Sequence, residues 1–175
     1  MPLIPAIQRH VAVFAVGPAT VRGQGAKGVV AAAQDFLSDV PLRSFARDTE
    51  ASFRRALDSA TEDLALAFPK PARSWGLARK CLNIFLRDAF YNSHLAPRFN
   101  LEVAKPFYEL PLDGVVARAL HELAGPNKLP RWPGVKHLYP VTSEAYQAFA
   151  LELSRKWKID RVYLDTYVWV ENRKR

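Results

Sequence analysis

The sequence predicts an all-α protein, a single helical domain of about seven helices. Three observations carry that reading. Apolar residues recur at spacings of three and four along most of the chain, the period of a helix that buries one face. Clusters of Gly and Pro punctuate that pattern and mark the connections. The chain has 175 residues and is 49 % apolar, which suits one domain with a real core.

The elements follow in order. Ile4, Ile7, Val11 and Phe14 define a first helix ending near Gly17-Pro18, with a valine-rich strand over Val11–Val16 as the competing reading. Residues 17–28 (GPATVRGQGAKG) form a loop, because glycine and proline leave little else open. Residues 28–38 give a short second helix, stopped by Pro41. Over 44–67, Phe45, Phe53, Leu57, Leu64 and Leu66 recur among charges, the signature of a long amphipathic helix. FPKPARS (68–74) breaks it, and SWGLARKCLNIFLRDAF (74–90) resumes as a helix to about residue 91. An irregular stretch, 92–111, precedes a helix from Asp113 to about Leu123. Residues 124–134 hold three prolines and form a loop. Ser143 is placed to cap a helix over 143–158. Residues 161–175 alternate like a strand, against a helical reading argued below. Residues 1–43 are N-terminal helices and a glycine-rich loop, and 44–175 are the helical core. No internal repeat, low-complexity tract or long linker divides them.

The formal net charge is +8, which favours a polyanionic partner through counterion release from phosphates. A merely basic protein is the plain alternative. The single cysteine, Cys81, excludes an intramolecular disulfide, and its apolar neighbours Leu82, Ile84 and Phe85 predict a buried, inert thiol. No apolar run reaches membrane-span length, and the N-terminus lacks a leader's charged start, so a reducing cytoplasm is the expected compartment. The four histidines are scattered without metal-ligand spacing, and no P-loop or Gly-x-Ser-x-Gly elbow is present, so neither metal nor cofactor is expected.

Two residues carry the candidate chemistry. Lys80 lies mid-helix, with Trp75, Leu77, Leu82 and Ile84 as apolar neighbours and Arg79 and Arg87 as cationic ones. An amine attacks carbon only without its proton, and apolar or cationic surroundings favour the neutral form. The plain reading of such a lysine is a solvated surface cation. Asp113 follows Pro111-Leu112 at a helix start, where a carboxylate accepts backbone N–H bonds and complements the helix dipole. A carboxylate fixed there can also stabilise a cationic sugar transition state.

GLARKCLNIFLRDAF followed by ELPLDGVVARAL resembles the core of the helix-hairpin-helix DNA glycosylase/lyase superfamily. In that superfamily one helix carries a catalytic lysine and a later Pro-x-Asp-x-x-Val segment carries a catalytic aspartate. Pro111, Asp113 and Val116 match that segment. The interval between the two residues is similar to that of the archaeal 8-oxoguanine DNA glycosylase branch. The C-terminal YLDTYVWVENR also resembles that branch's closing Leu-Asp-x-x-x-Trp helix, which favours helix over strand there. The resemblance covers roughly 70–175. It implies a DNA repair enzyme that flips a modified base out of lesion-bearing duplex DNA. Lys80 would attack the sugar carbon, Asp113 would stabilise the developing charge, and a Schiff base and strand elimination would follow. The superfamily's Leu-Pro-Gly-x-Gly hairpin is absent, and KPARSWGLARK (70–80) stands in its place, with Lys70, Arg73 and Arg79 offered as phosphate-binding side chains.

Asp165 is the alternative catalytic aspartate, because LDTYVW also resembles the aspartate segment of the standard glycosylases. Its distance along the chain from Lys80 argues against it, and a buried, hydrogen-bonded role is its plain reading. Gly23–Gly28 spells G-x-G-x-x-G before a helix, but no clear strand leads into it, so a flexible loop stands against dinucleotide binding. Arg22, Gln24 and Lys27 in that loop suit a DNA-binding surface. Trp132, within LPRWPG, is the tryptophan expected to be exposed and able to stack on a base. His94 reads as a surface histidine that could also contact DNA, and the basic end at 173–175 as a solvated tail with weak phosphate affinity. The alternatives from other classes are a non-catalytic nucleic-acid-binding helical domain and a helical interaction protein.

Overall fold

The computed structural model describes the backbone of residues 2–24 and 26–173, and the side chains of 169 and 171–173 lie outside that description. Gly25 of the glycine-rich loop, the Trp169 of the closing motif and the basic end therefore fall outside it, in whole or in side chain. Among the described residues all regular structure is helical. Eight α-helices run α1 Leu3–Ala15, α2 Val29–Asp39, α3 Glu50–Ala67, α4 Trp75–Tyr91, α5 Leu95–Phe99, α6 Gly114–Ala124, α7 Pro140–Trp157 and α8 Leu164–Arg173. Short 3-10 turns at Leu42–Phe45, Lys70–Ala72, Leu101–Phe107, Val135–His137 and Arg161–Tyr163 connect them.

Local sequence explains most boundaries. The Thr49 and Ser74 hydroxyls accept from Ser52 N at 3.3 Å and Leu77 N at 3.1 Å, capping α3 and α4. Thus α3 begins at Glu50 rather than 44, and Leu42–Phe45 forms a separate 3-10 turn. Pro140 starts α7, because its fixed φ and missing N–H suit the first helical position. Ser143, expected as the cap, is buried inside that helix. The strand alternative at Val11–Val16 fails: Val11, Ala12 and Ala15 form the buried stripe of α1, Val13 faces solvent, and Val16 caps the helix end. The alternating end is also helical, an Arg161–Tyr163 turn leading into α8. The stretch 92–111 holds α5 and a 3-10 turn, hinged at Asn100 with φ 56°.

Two apolar clusters hold the molecule together. The larger joins α1 to α4, with Phe45, Phe53, Phe68 and Phe85 fully enclosed, so residues 1–43 share one core with the helix that carries Lys80. The second joins α6, α7 and α8 through Leu120, Tyr146, Ala150 and Leu164. Trp132 packs against both. One close approach ties the clusters near the start of α4. A Cβ placed on Gly76 would lie 2.2 Å from Val135 O and 2.7 Å from Leu138 Cβ, so only glycine lets the 135–137 turn sit on the helix.

Candidate functional site

Lys80 and Asp113 meet. Lys80 Nζ lies 3.6 Å from Asp113 Oδ2, with the lysine side chain 11 % exposed and the aspartate 35 %. Asp113 has two roles on two oxygens. Its Oδ1 accepts from Val115 N at 2.9 Å and Val116 N at 3.0 Å, capping α6. Its Oδ2 faces the lysine. Lys80 Nζ also donates to Thr20 O at 3.0 Å, so the glycine-rich loop reaches the same amine. That loop is a chain of tight turns, with Thr20, Arg22 and Gln24 amides donating to Gly17, Ala19 and Val21 carbonyls, and Val21 anchors it in the core. An untethered loop is therefore not what the structure has. The strand that a dinucleotide fingerprint needs before its first glycine is also missing, since α1 occupies that place.

One turn beyond Lys80, a cleft of about 530 Å³ opens between α1, α4 and α8. Ile84, Arg87, Asp88 and Tyr91 continue the Lys80 face of α4 along it, facing Phe14, Thr20, Asp165, Thr166 and Val170 among others. Its size falls within the range of about 300–1,000 Å³ usual for small-molecule sites. Phe14 is 75 % exposed at the rim and leans on His10.

Asp165 is held by Arg87, which also pairs with Asp88 at 2.8 Å. Burial pushes the Asp165 carboxyl above its usual range, and the Asp113 and Asp88 charges add to this while Arg87 opposes it. Burial likewise raises Asp88, again against Arg87. For Arg87 burial acts downward, but the two aspartates prevail and raise it. Asp165 therefore stands beside Asp113, neutralised by an arginine, and makes no ion pair with Lys80 among the described contacts.

Other expected site residues divide. Arg22, Lys27, Lys70 and Arg73 are exposed, while Gln24 is half-buried with its side-chain oxygen turned inward, away from every described donor. Arg79 is a correction. It is 5 % exposed and no phosphate can reach it. Its guanidinium pairs with Asp58, donates to Thr61 Oγ1 at 2.8 Å, and sits 3.0 Å from Glu109 Oε2 through an Nε whose N–H is not aligned with that oxygen. It also lies over the Trp75 ring at 4.9 Å. The helix period turned Arg79 inward exactly one position before Lys80 turns toward the cleft. Neither Arg79 nor Arg87 is thus a bare cation beside Lys80, as the sequence implied. Trp132 is a second correction: it is half-buried, with its ring edge-on to Tyr146 at 5.4 Å, and its indole nitrogen lies 3.9 Å from the Cβ position of Gly114. It packs next to Asp113 rather than standing free for stacking. His94 is exposed at the start of α5.

Sequence reasoning missed the Thr20 carbonyl and the Arg87–Asp88–Asp165 group. The second was discoverable by following the Lys80 stripe in steps of three and four along α4. Cys81 is fully buried, and burial pushes its thiol up to about 12. Among the described residues no group of three or more His, Cys, Asp or Glu side chains is arranged to hold a metal ion. No helix of the described residues is long and apolar enough to cross a membrane. Comparison with protein-family models, with curated proteins and with solved structures gives no match to this chain.

Proposed function

We propose that the chain is a DNA N-glycosylase/lyase of helix-hairpin-helix type, acting on a modified base in duplex DNA. The observation that carries this reading is the 3.6 Å approach of Lys80 Nζ to an aspartate already fixed as a helix cap. A nucleophilic amine beside a rigid carboxylate is the arrangement that displacement at a sugar carbon requires. The pairing of α3 with α4 across residues 68–74 supplies a helix–turn–helix ahead of the lysine, in the order that the resemblance implies.

In this mechanism the flipped nucleotide enters the cleft beside Lys80. The Lys80 amine, once its ammonium proton has passed to solvent and it is released from Thr20 O, forms a bond to C1′ while the C1′–N bond breaks and the base departs with its electron pair; a proton from the new C1′–nitrogen bond then passes through solvent to O4′. Asp113 stabilises the positive charge on the sugar. The ring opens to a Schiff base, loss of a C2′ proton follows, and the C3′–O bond breaks. The damaged base has to be one that leaves readily as an anion or takes up a proton from solvent. The cleft offers it both apolar walls, Phe14 and Ile84, and polar groups at Thr166 and the Arg87 cluster.

Borohydride reduction in the presence of a lesion-bearing duplex should trap the protein covalently, and Lys80→Gln should abolish trapping. Persistent trapping in the variant eliminates Lys80 as the nucleophile. A second reading draws on a different observation. The Lys80–Thr20 hydrogen bond pins the glycine-rich loop, a purely structural duty, and favours a non-catalytic nucleic-acid-binding domain. Salt-dependent duplex binding without trapping or strand cleavage would select it.

A further inference from the structure

The carboxylates are segregated along the chain. None of the 17 Asp and Glu residues falls within 1–34, 64–87 or 123–143. The fold brings these three segments together around the first half of α4. Lys80 Nζ donates to Thr20 O, joining the first to the second. Gly28, with φ 93°, abuts Pro69, because a Cβ there would sit 3.9 Å from Pro69 Cγ. The Val135 carbonyl covers Gly76 and lies 3.5 Å from Ser74 Oγ, joining the third to the second. The indole of Trp132 reaches Gly114, next to Asp113. Three acid-free loops therefore converge on the side of the molecule that carries the Lys80–Asp113 pair.

The third loop is the informative one. Lys128, Arg131 and Lys136 are exposed, and no ion pair involves any of them among the described residues. The loop is held in shape by Asn127, Gly125 and Gly134 at positive φ and by the seat on Gly76. A defined loop carrying three free cations beside a site, within the acid-free span 123–143, is an electrostatic footprint for a polyanion. At the turn before α4 several backbone amides are already occupied. There the Ala72, Arg73, Leu77 and Ala78 amides already donate to Pro69 O, Lys70 O, Ser74 Oγ and Ser74 O.

We infer that residues 125–137 form a phosphate-binding arm, with Lys128, Arg131 and Lys136 gripping the DNA backbone beside the 68–74 turn. This inference rests on the DNA reading above and assigns that reading its missing phosphate contacts.

The test is fluorescence anisotropy on a labelled duplex containing a tetrahydrofuran abasic analogue, titrated over a range of salt. The wild-type chain is compared with Lys128→Gln/Arg131→Gln/Lys136→Gln and with Arg55→Gln/Arg98→Gln/Lys156→Gln, which removes three exposed charges elsewhere. The arm variant should lose about one unit of log–log salt slope per cation removed and about tenfold to a hundredfold in affinity, and the control far less. Equal losses in the two triple variants overturn the arm while leaving DNA binding intact. Wild-type protein that shows no salt-dependent binding overturns both the arm and the DNA reading. Lys136→Gln alone, carrying about one unit of slope, repeats the test should the triple variant fail to fold.

Discussion

Lys80 Nζ and Asp113 Oδ2 are 3.6 Å apart although 33 positions separate the residues in the chain. The aspartate is a helix cap and a charge partner at once, and the two roles use different oxygens. Asparagine keeps the capping oxygen and removes the charge, whereas alanine removes both. Asp113→Ala should therefore destabilise the protein by about 0.5–2 kcal/mol, while Asp113→Asn should cost less than that. Strand cleavage should fall in both. Urea unfolding alongside cleavage of an abasic duplex checks this. Full cleavage activity in the asparagine variant would leave Asp113 a cap alone.

The buried Arg79 serves the fold instead of DNA. It is enclosed with Glu109, whose Oε2 also accepts from Asn83 Nδ2 at 3.1 Å, so removing the arginine strands a buried carboxylate. Arg79→Met should cost about 3–5 kcal/mol in urea unfolding. Adding Glu109→Gln should recover a large part of the loss, because the stranded charge is then gone. If the double variant is no more stable than the single, the cost lies in lost packing over Trp75 and not in the charge.

The local signals in the sequence were those that short range decides. Asp113 after a proline reads directly as a cap, and the apolar stripe of α4 follows from its period. The pairing of Lys80 with Asp113 came from resemblance, not from spacing, since nothing local tells two helices that their ends will touch. The fate of Arg79 was hidden because it depends on Asp58 and Glu109, which tertiary packing brings in from positions 21 before and 30 after. Trp132 misled for a similar reason: prolines on both sides suggest exposure, but Tyr146 from α7 closes on its ring. The three acid-free segments were visible in the sequence throughout. Their convergence on one side was not, because it hangs on the Lys80–Thr20 hydrogen bond and on Gly76, which admits the 135–137 turn.

Cys81 should be silent until the protein unfolds. It is fully buried in the main core, and burial pushes its thiol up to about 12. Near pH 8 the thiolate fraction is then only about one part in ten thousand, and the reagent has no path to it. A thiol-exchange reagent should find almost no reactive group in the native state and one equivalent in guanidinium. Rapid native reaction would mean that the α4 core opens readily.

Asp165 should make the fold less stable as the pH rises through the weakly acidic range. Its carboxyl is raised above the ordinary value of 3.8, first by burial and then by Asp113 and Asp88, with Arg87 only partly opposing. The folded state therefore holds this proton more tightly than the unfolded chain does. Stability from this group is present in full below the unfolded value and is lost as pH climbs through the higher folded one. Asp88 is raised by burial too and adds the same sign. Asp165→Asn removes one titrating group and leaves Arg87 its bond to Asp88. The stability difference between the asparagine variant and the wild type, measured by urea unfolding at steps from about pH 3.5 to 6.5, should move in favour of the variant as pH rises. Other groups contribute nearly equally to both proteins, so the difference isolates Asp165. A difference that moves the other way would show that the Arg87 pairing outweighs burial at Asp165.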